Sequence, residues 1–165
     1  MKVEYINPFV ASTRSVFATM LGCELTRGTP FSKEDRHPQH EVSGIIGLSG
    51  KARGTVVLSL ERSVALAATA VLLGEHPKDI NADVVDTVGE LTNMIAGGAK
   101  AKLEELEMTV SLPSVITGKS HTVDFPSQAV GIGIPFESEW GALLVEVGLV
   151  EQQTEVPVAV VAAVS

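Results

Sequence analysis

The sequence is poor in cysteine, in basic residues and in long hydrophobic runs. Its 165 residues include one cysteine, Cys23, so a disulfide within the chain is impossible and a zinc site built on cysteines is implausible. Lysine and arginine number 12 against 20 aspartates and glutamates, which gives a net charge of −8. This balance argues against nucleic acid and anionic membranes as partners, because both favour a basic patch. A partner with basic groups around its own site fits better.

No segment is long and apolar enough to predict a membrane span. The longest apolar run, VPVAVVAAV, has nine residues, far short of the roughly 20 needed to cross a bilayer. The first residues, MKVEYINPFV, place Glu4 and Asn7 where a signal peptide would need an apolar stretch. We therefore expect a cytoplasmic protein. Its 45% hydrophobic and 19% charged residues are typical of a globular domain.

Helix and strand patterns alternate along the chain in an order that favours an α+β fold. They predict a helix from Asn7 to Leu21 with Asn7 as cap, a hairpin of EVSGIIGLSG and TVVLSL joined by the turn KARG, a helix in ERSVALAATAVLLG and a long helix from about Ala82 to Glu107. SLPSVITG predicts an irregular or short extended piece, and TPFSKEDRHPQH predicts a loop.

Alternating apolar residues predict a β-meander in the last third of the chain, with a turn at ESEWG. We expect a largely antiparallel sheet with the long helices packed on one face. The prediction is a single domain over residues 1–150, followed by a tail or an extra strand over residues 151–165.

The long helix carries a polar stripe. At about 100° per residue, positions 86, 90, 93 and 97 fall within roughly 60° of one another. The opposite side is apolar and consists of Val84, Val88, Leu91, Ile95 and Ala99. We therefore expect the stripe, Asp86, Glu90, Asn93 and Gly97, to face solvent.

This stripe is costly for a helix. Asp86 and Glu90 are like charges four residues apart, and glycines cost up to about 1 kcal/mol each relative to alanine. Most exposed stripes are only solvated faces. The cost favours a docking surface here, because Gly89 and Gly97 would let another surface approach closely. Gly98 lies nearer the apolar side, where packing against the sheet is the alternative.

The side chains of the stripe suit a limited chemistry. An asparagine amide can hold a water by donating and accepting hydrogen bonds, and a carboxylate can pair with a lysine. The sequence near them supplies no nucleophile and no metal-ligand cluster. Elsewhere, His37 and His40 share one loop and could ligate a metal only with further ligands, so a solvated loop is favoured. The stripe therefore suits orienting a water in another protein's active site.

The pattern D-x-x-x-E-x-x-N, filled by Asp86, Glu90 and Asn93 and followed by Pro113, resembles the CheC/CheX/FliY phosphatases of bacterial chemotaxis. The flanking segments are especially similar to CheX, namely VGELTNMIAGGAKAKL, SLPSVITG, INPFVASTRSVFATMLG and GIIGLSGKARGTVVLSL. The resemblance extends from about Tyr5 to Val150.

The resemblance implies a CheC/CheX-like fold and a phosphatase that acts on the aspartyl phosphate of a CheY-like response regulator. It implies that Asn93 orients the attacking water and that Glu90 binds the lysine of the receiver active site. The Mg²⁺ would belong to the receiver, so the chain needs no cofactor of its own, and a homodimer is expected. Together with the stripe geometry, it makes Asp86, Gly89, Gly97 and Pro113 the candidate partner-binding residues.

Two departures from the CheC pattern and two alternatives accompany this interpretation. CheC-type members carry the motif twice, whereas ERSVALAATAVLLG lacks Glu-x-x-Asn, so one site per subunit is expected, as in CheX. The spacing from Asn93 to Pro113 is also shorter than in the CheC pattern. The alternatives are a non-catalytic receiver-binding module and a structural homodimer whose helix face is only solvated.

Overall fold

The computed structural model describes residues 3–32, 39–125 and 130–152. The described helices are α1 (Val3–Leu21), α2 (Arg62–Leu73) and α3 (Ala82–Ala101). The described strands are β1 (Thr26–Arg27), β2 (Phe31–Ser32), β3 (Val42–Ser49), β4 (Ala52–Leu60), β5 (Thr109–Val110), β6 (Ser114–Thr117), β7 (Ile132–Ser138) and β8 (Gly141–Glu151). None of the described helices is long and apolar enough to cross a membrane.

All described strand pairs are antiparallel and form one sheet in the order β1-β7-β8-β4-β3-β5, with β2 beside β7 and β6 beside β3. The predicted hairpins are β3–β4 and β7–β8, and the pairing of β4 with β8 joins them. This architecture confirms the predicted α+β class with a largely antiparallel sheet.

The helices cover one face of the sheet. The side chains of β8 that face them are Leu143, Val145, Val147 and Leu149, all buried in the core. Helix α3 contacts both α1 and α2 and packs on β3. Burial of these alternating apolar residues drives the docking of the helices, because strand side chains of one parity share one face.

The opposite face buries polar groups. Glu146 is fully buried on β8, and Gln39 Nε2 donates a hydrogen bond to its carboxylate. The Ser43 and Ser59 hydroxyls lie 2.8 Å apart, and His121 Nε2 lies 2.7 Å from Ser43 Oγ. These bonds hold the segments around residues 39 and 121 on the sheet, since buried polar groups need partners.

Helix α1 starts earlier than predicted. The helix already includes Val3, so the prediction that Asn7 caps it and that Pro8 lies in its first turn is wrong. Tyr5 is buried, and its hydroxyl donates a hydrogen bond to Glu151 at the end of β8. This packing outweighs the backbone hydrogen bond that Pro8, which lacks an N–H, cannot make.

Helix α3 stops sooner than predicted, at Ala101 rather than Glu107. A short 3₁₀ turn over Glu104–Leu106 follows, and Glu107 adopts a left-handed conformation with φ 46°. Leu106 is buried, and its carbonyl accepts a hydrogen bond of 2.8 Å from the Lys51 amide. The chain therefore turns back to the sheet, which a continuing helix could not do.

The hairpin turn also differs from the prediction. Strand β4 begins at Ala52, so the turn is Gly50–Lys51 and most of KARG lies in the strand. Ala52 is buried, and it pairs with Glu151 of β8. The added pairing with β8 extends the strand into residues whose local pattern indicates a turn.

The predicted loop TPFSKEDRHPQH contains the short strand β2, which pairs with β7. The ring of Phe31 occupies the space that a side chain on Gly133 would need, so this pairing depends on a glycine. Strands β1 and β2 have two residues each, too few for any periodicity to reveal them. His37 and the predicted tail beyond Gln152 lie outside the described residues.

Glycine determines how closely α3 packs on β3. A Cβ on Gly44 would overlap the side chain of Thr92 and lie 3.3 Å from the carbonyl oxygen of Val88. Gly44, in the segment GIIGLSG, therefore serves close helix–sheet packing.

We expect Gly44→Ala to lower the free energy of unfolding by about 1–3 kcal/mol, because α3 must move away from the sheet. Urea unfolding followed by circular dichroism measures the change. Gly47→Ala is the matched control on the same strand, since its Cβ would come no closer than 3.6 Å to Ser111 Oγ. Equal losses for the two variants would contradict the role of Gly44.

The stability of the fold should also depend on pH through His40. Burial lowers the pKa of His40 below its ordinary value of 6.5, although Glu61 and Glu137 act to raise it. Below about pH 6.5 the unfolded chain binds a proton that folded His40 does not. Stability should therefore be highest above that pH and fall as the pH decreases.

This dependence can be measured as the fall in melting temperature between pH 7.5 and 5.5. His40→Gln should reduce that fall, whereas His76→Gln, on the exposed connector between α2 and α3, should leave it unchanged. An undiminished fall in His40→Gln would refute this assignment.

Candidate functional site

The start of α3 is set by a side-chain cap. Asn81 Oδ1 accepts a hydrogen bond of 3.0 Å from the Val84 amide, which satisfies one of the free N–H groups at the helix start. The predicted apolar side of the helix is confirmed, because all five of its residues are fully buried: Val84, Val88, Leu91, Ile95 and Ala99.

The predicted polar stripe lies on the open side of α3. Asp86 and Glu90 are exposed, whereas Asn93 and Gly97 are half-buried. Among the residues that the structure describes, none makes a side-chain hydrogen bond or ion pair with Asp86, Glu90 or Asn93. The carboxylates and the amide are therefore available to a partner.

Gly89 brings Pro113 to the side of the stripe. Gly89 is buried, and a Cβ added to it would lie 3.5 Å from Pro113 Cγ and 3.6 Å from Val115 Cγ2. The structure thus places Gly89 underneath the segment that leads into β6, and places Pro113, half-buried, beside the helix. Gly89 therefore lies beneath Pro113 at this edge of the stripe.

Two neighbouring glycines of α3 have different surroundings. A Cβ on Gly97 would meet nothing within 4 Å, so this part of the stripe is open. A Cβ on Gly98 would overlap the hydroxyl of Ser12 on α1, which donates a hydrogen bond of 2.8 Å to the carbonyl of Ile95. Gly98 therefore packs against α1 and not against the sheet, which is the alternative that the sequence offers.

Sequence reasoning missed one exposed residue next to the site. Leu112 immediately precedes Pro113, and 89% of its surface is exposed. The local sequence, a leucine between a serine and a proline, does not predict this exposure, because the exposure follows from the pairing of neighbouring strands.

The site is a helical surface and contains no nucleophile. Within residues 3–32, 39–125 and 130–152, no three His, Cys, Asp or Glu side chains come together as metal ligands. Cys23, the one thiol of the chain, is buried outside the stripe, and burial raises its pKa. Such a surface can bind a cation through Asp86 and Glu90 and hold a water through Asn93, if a partner supplies the reactive group.

Known proteins share both the sequence and the fold. The family model described as chemotaxis phosphatase CheX matches residues 42–137, more than half of the chain. A relative from Thermotoga maritima, named CheY-P phosphatase CheX, is 26% identical over 122 residues, which cover 72% of this chain and 79% of that protein.

Solved structures extend the comparison. The crystal structure of chemotaxis protein CheX from Vibrio vulnificus has a TM-score of 0.84 and 37% identity, covering 90% of this chain and 100% of that one. The CheX–CheY–BeF₃–Mg²⁺ complex from Borrelia burgdorferi has a TM-score of 0.74 at 23% identity, covering 90% and 99%, and so shares the fold.

This α+β domain, which exposes a carboxylate and an amide on one helix, therefore has a CheC-like fold. The chain belongs to the chemotaxis phosphatase CheX family.

Gly97 and Gly98 provide a test of which side of α3 is open. Gly97→Ala should raise the free energy of unfolding by up to about 1 kcal/mol, because alanine favours the helix and nothing obstructs its Cβ. Gly98→Ala should lower it by about 1–3 kcal/mol, because α1 blocks the Cβ. Urea unfolding of the two variants under the same conditions measures both signs, and equal signs would contradict this assignment.

Proposed function

We propose that this protein hydrolyses the aspartyl phosphate of a CheY-like receiver domain, with α3 laid across the receiver's active site. The observation that carries the proposal is the exposed stripe, on which Glu90 and Asn93 make no side-chain bond to any described residue. The name of the Thermotoga relative, a CheY-P phosphatase, supports the choice of substrate.

Asn93 is the proposed catalytic residue that orients water. Its amide oxygen accepts a hydrogen bond from the water, while its amide nitrogen remains free to donate one to the receiver. This holds the water in line with the phosphorus–oxygen bond to aspartate. The water oxygen forms the new bond to phosphorus, the aspartate carboxylate leaves with the electron pair of the broken bond, and the protons of the water leave with the released phosphate. The half-buried position of Asn93 restricts its rotamers, which favours a fixed water.

Glu90 is the proposed contact to the receiver's lysine. Its exposed carboxylate can form a charge-assisted hydrogen bond with an ammonium group brought by the partner. This pair would fix the orientation of α3 on the receiver. Asp86 adds a second negative charge one turn earlier, Gly97 lies at the other end of the contact surface, and Pro113 lines its side.

The Mg²⁺ of the reaction is assigned to the receiver and not to this chain. The described residues include no cluster of three or more possible ligands. Phosphoryl transfer depends mainly on positioning and charge stabilisation, so a chain that adds a water-positioning amide to a metal-bound phosphate is sufficient.

We expect Asn93→Ala to lower the rate of phosphate release from a phosphorylated CheY-like receiver by about 100-fold or more, because the water loses its orientation. Binding of the variant to the receiver should persist. Phosphate release is measured with excess phosphorylated receiver, and binding by fluorescence anisotropy of a labelled receiver. The control is Asn7→Ala, which removes an exposed asparagine amide from α1 and should leave the rate of phosphate release unchanged.

Glu90→Gln should mainly weaken binding, raising KM by about tenfold, because the amide cannot pair with an ammonium as a carboxylate does. Glu104→Gln removes the same charge from the turn after α3 and should have no effect.

An Asn93→Ala variant that is as active as wild type would refute the mechanism. Binding of wild type without any phosphate release would favour a non-catalytic module instead. Homodimerisation stays a prediction from the resemblance.

A further inference from the structure

A β-bulge lies between β5 and β6, at the edge of the sheet beside the site. Both strands pair with β3, but in different registers, since Val110 lies opposite Leu48 and Ser114 lies opposite Ile45. Three residues on one side, 111–113, therefore face two on the other, Ile46 and Gly47. Such an extra residue is a bulge, a feature that redirects a side chain and is common next to active sites.

The backbone hydrogen bonds locate the extra residue. The Ser111 amide donates to the carbonyl of Gly47 at 2.9 Å, and the Gly47 amide donates to Ser111 Oγ at 2.9 Å. Ser111 thus keeps the register of β5, and Leu112 and Pro113 share Ile46 as their partner. The Gly118 amide donates to the carbonyl of Glu41 at 2.9 Å, so the segment is fixed at both ends.

The two residues of the bulge have opposite environments. Pro113 lies over Gly89 of α3, where its Cγ is 3.5 Å from the position of an added Cβ, and Leu112 is left 89% exposed. No other large hydrophobic side chain among the described residues is as exposed, and the next is Val3 at 68%. Bulges and prolines also protect sheet edges, which accounts for Pro113 but not for an exposed leucine beside it.

Leu112 is continuous with the polar stripe. It adjoins Pro113, which lies against Gly89, and Gly89 precedes Glu90 on α3. A surface that docks over Glu90 and Asn93 would thus meet Leu112 at its rim. Burying an apolar side chain at this rim would add affinity to that of the Glu90 charge pair, because removing apolar surface from water is favourable.

We propose that Leu112 is a docking residue for the phosphorylated receiver and packs on an apolar surface beside the receiver's phosphorylated aspartate. This inference rests on the proposed function. The carboxylates of the stripe select the lysine of the receiver, and Leu112 supplies affinity at the edge of the same contact. Leu112 touches no reacting atom, so its role is in binding and not in the chemical step.

The test uses the full chain and a CheY-like receiver loaded with Mg²⁺ and beryllium fluoride as a stable substitute for the phosphoaspartate. Leu112→Ala should raise Kd for this receiver about tenfold. It should raise KM for the phosphorylated receiver by the same factor and leave kcat unchanged. Because Leu112 is exposed, the variant should keep the wild-type melting temperature.

Two further variants make the test specific. Leu112→Met keeps the apolar volume and should restore binding. Leu73→Ala removes a leucine that is 50% exposed at the end of α2, away from the stripe in the sequence, and should change neither Kd nor KM.

The outcomes separate this inference from the proposed function. Unchanged binding in Leu112→Ala, together with lost turnover in Asn93→Ala, would overturn the docking role and leave the phosphatase intact. A fall in kcat at constant KM, or an equal effect of Leu73→Ala, would also overturn the docking role. If wild type neither binds the receiver nor releases phosphate, the proposed function fails, and this inference fails with it.

Discussion

The contact of α3 with β3 and β6 is the constraint on which the site depends. Gly44 leaves room for the side chain of Thr92 on one side of the helix, and Pro113 packs over Gly89 at ordinary contact distance on another. With these two contacts and the buried apolar stripe in place, the rotation of the helix about its axis is determined, and Glu90 is left exposed. Gly44, which weakens β3 locally, is therefore part of what sets the direction of the polar side chains on α3.

The described part of the sheet is asymmetric, and the asymmetry matters for the site. One face is covered by helices and filled with aliphatic residues, while the other buries a hydrogen-bonded set that includes Glu146, Ser43 and Ser59. His121 bonds to Ser43 and follows β6 closely in the chain. The hydrogen bonds of the polar face thus hold the segment that follows β6, and Pro113 lies just before β6.

The sequence predicts α3 well because a twenty-residue amphipathic helix gives a strong periodic signal. Its apolar buried side and its exposed carboxylates could be assigned from spacing alone, whereas the burial of Gly89 under Pro113 could not. The errors fall where tertiary contacts override local pattern, as Tyr5 does for the start of α1 and the pairing with β8 does for Ala52. The exposure of Leu112 could not be predicted. It follows from a bulge, which is a mismatch between the pairings of β5 and β6 with β3, and neither pairing can be predicted from one short segment. The roles proposed for Glu90 and Asn93 come from the family resemblance, and helical geometry adds only that both lie on the open side of α3.

The bulge also bears on how this sheet avoids pairing with other chains. Without its extra residue, the segment from Thr109 to Thr117 could form one uninterrupted edge strand along β3, with a row of free backbone groups open to any extended chain. The interruption at Leu112 and Pro113 breaks that row in the middle, because proline has no N–H to offer and the register changes there. A deletion of one residue in this segment would therefore lengthen the edge and favour self-association.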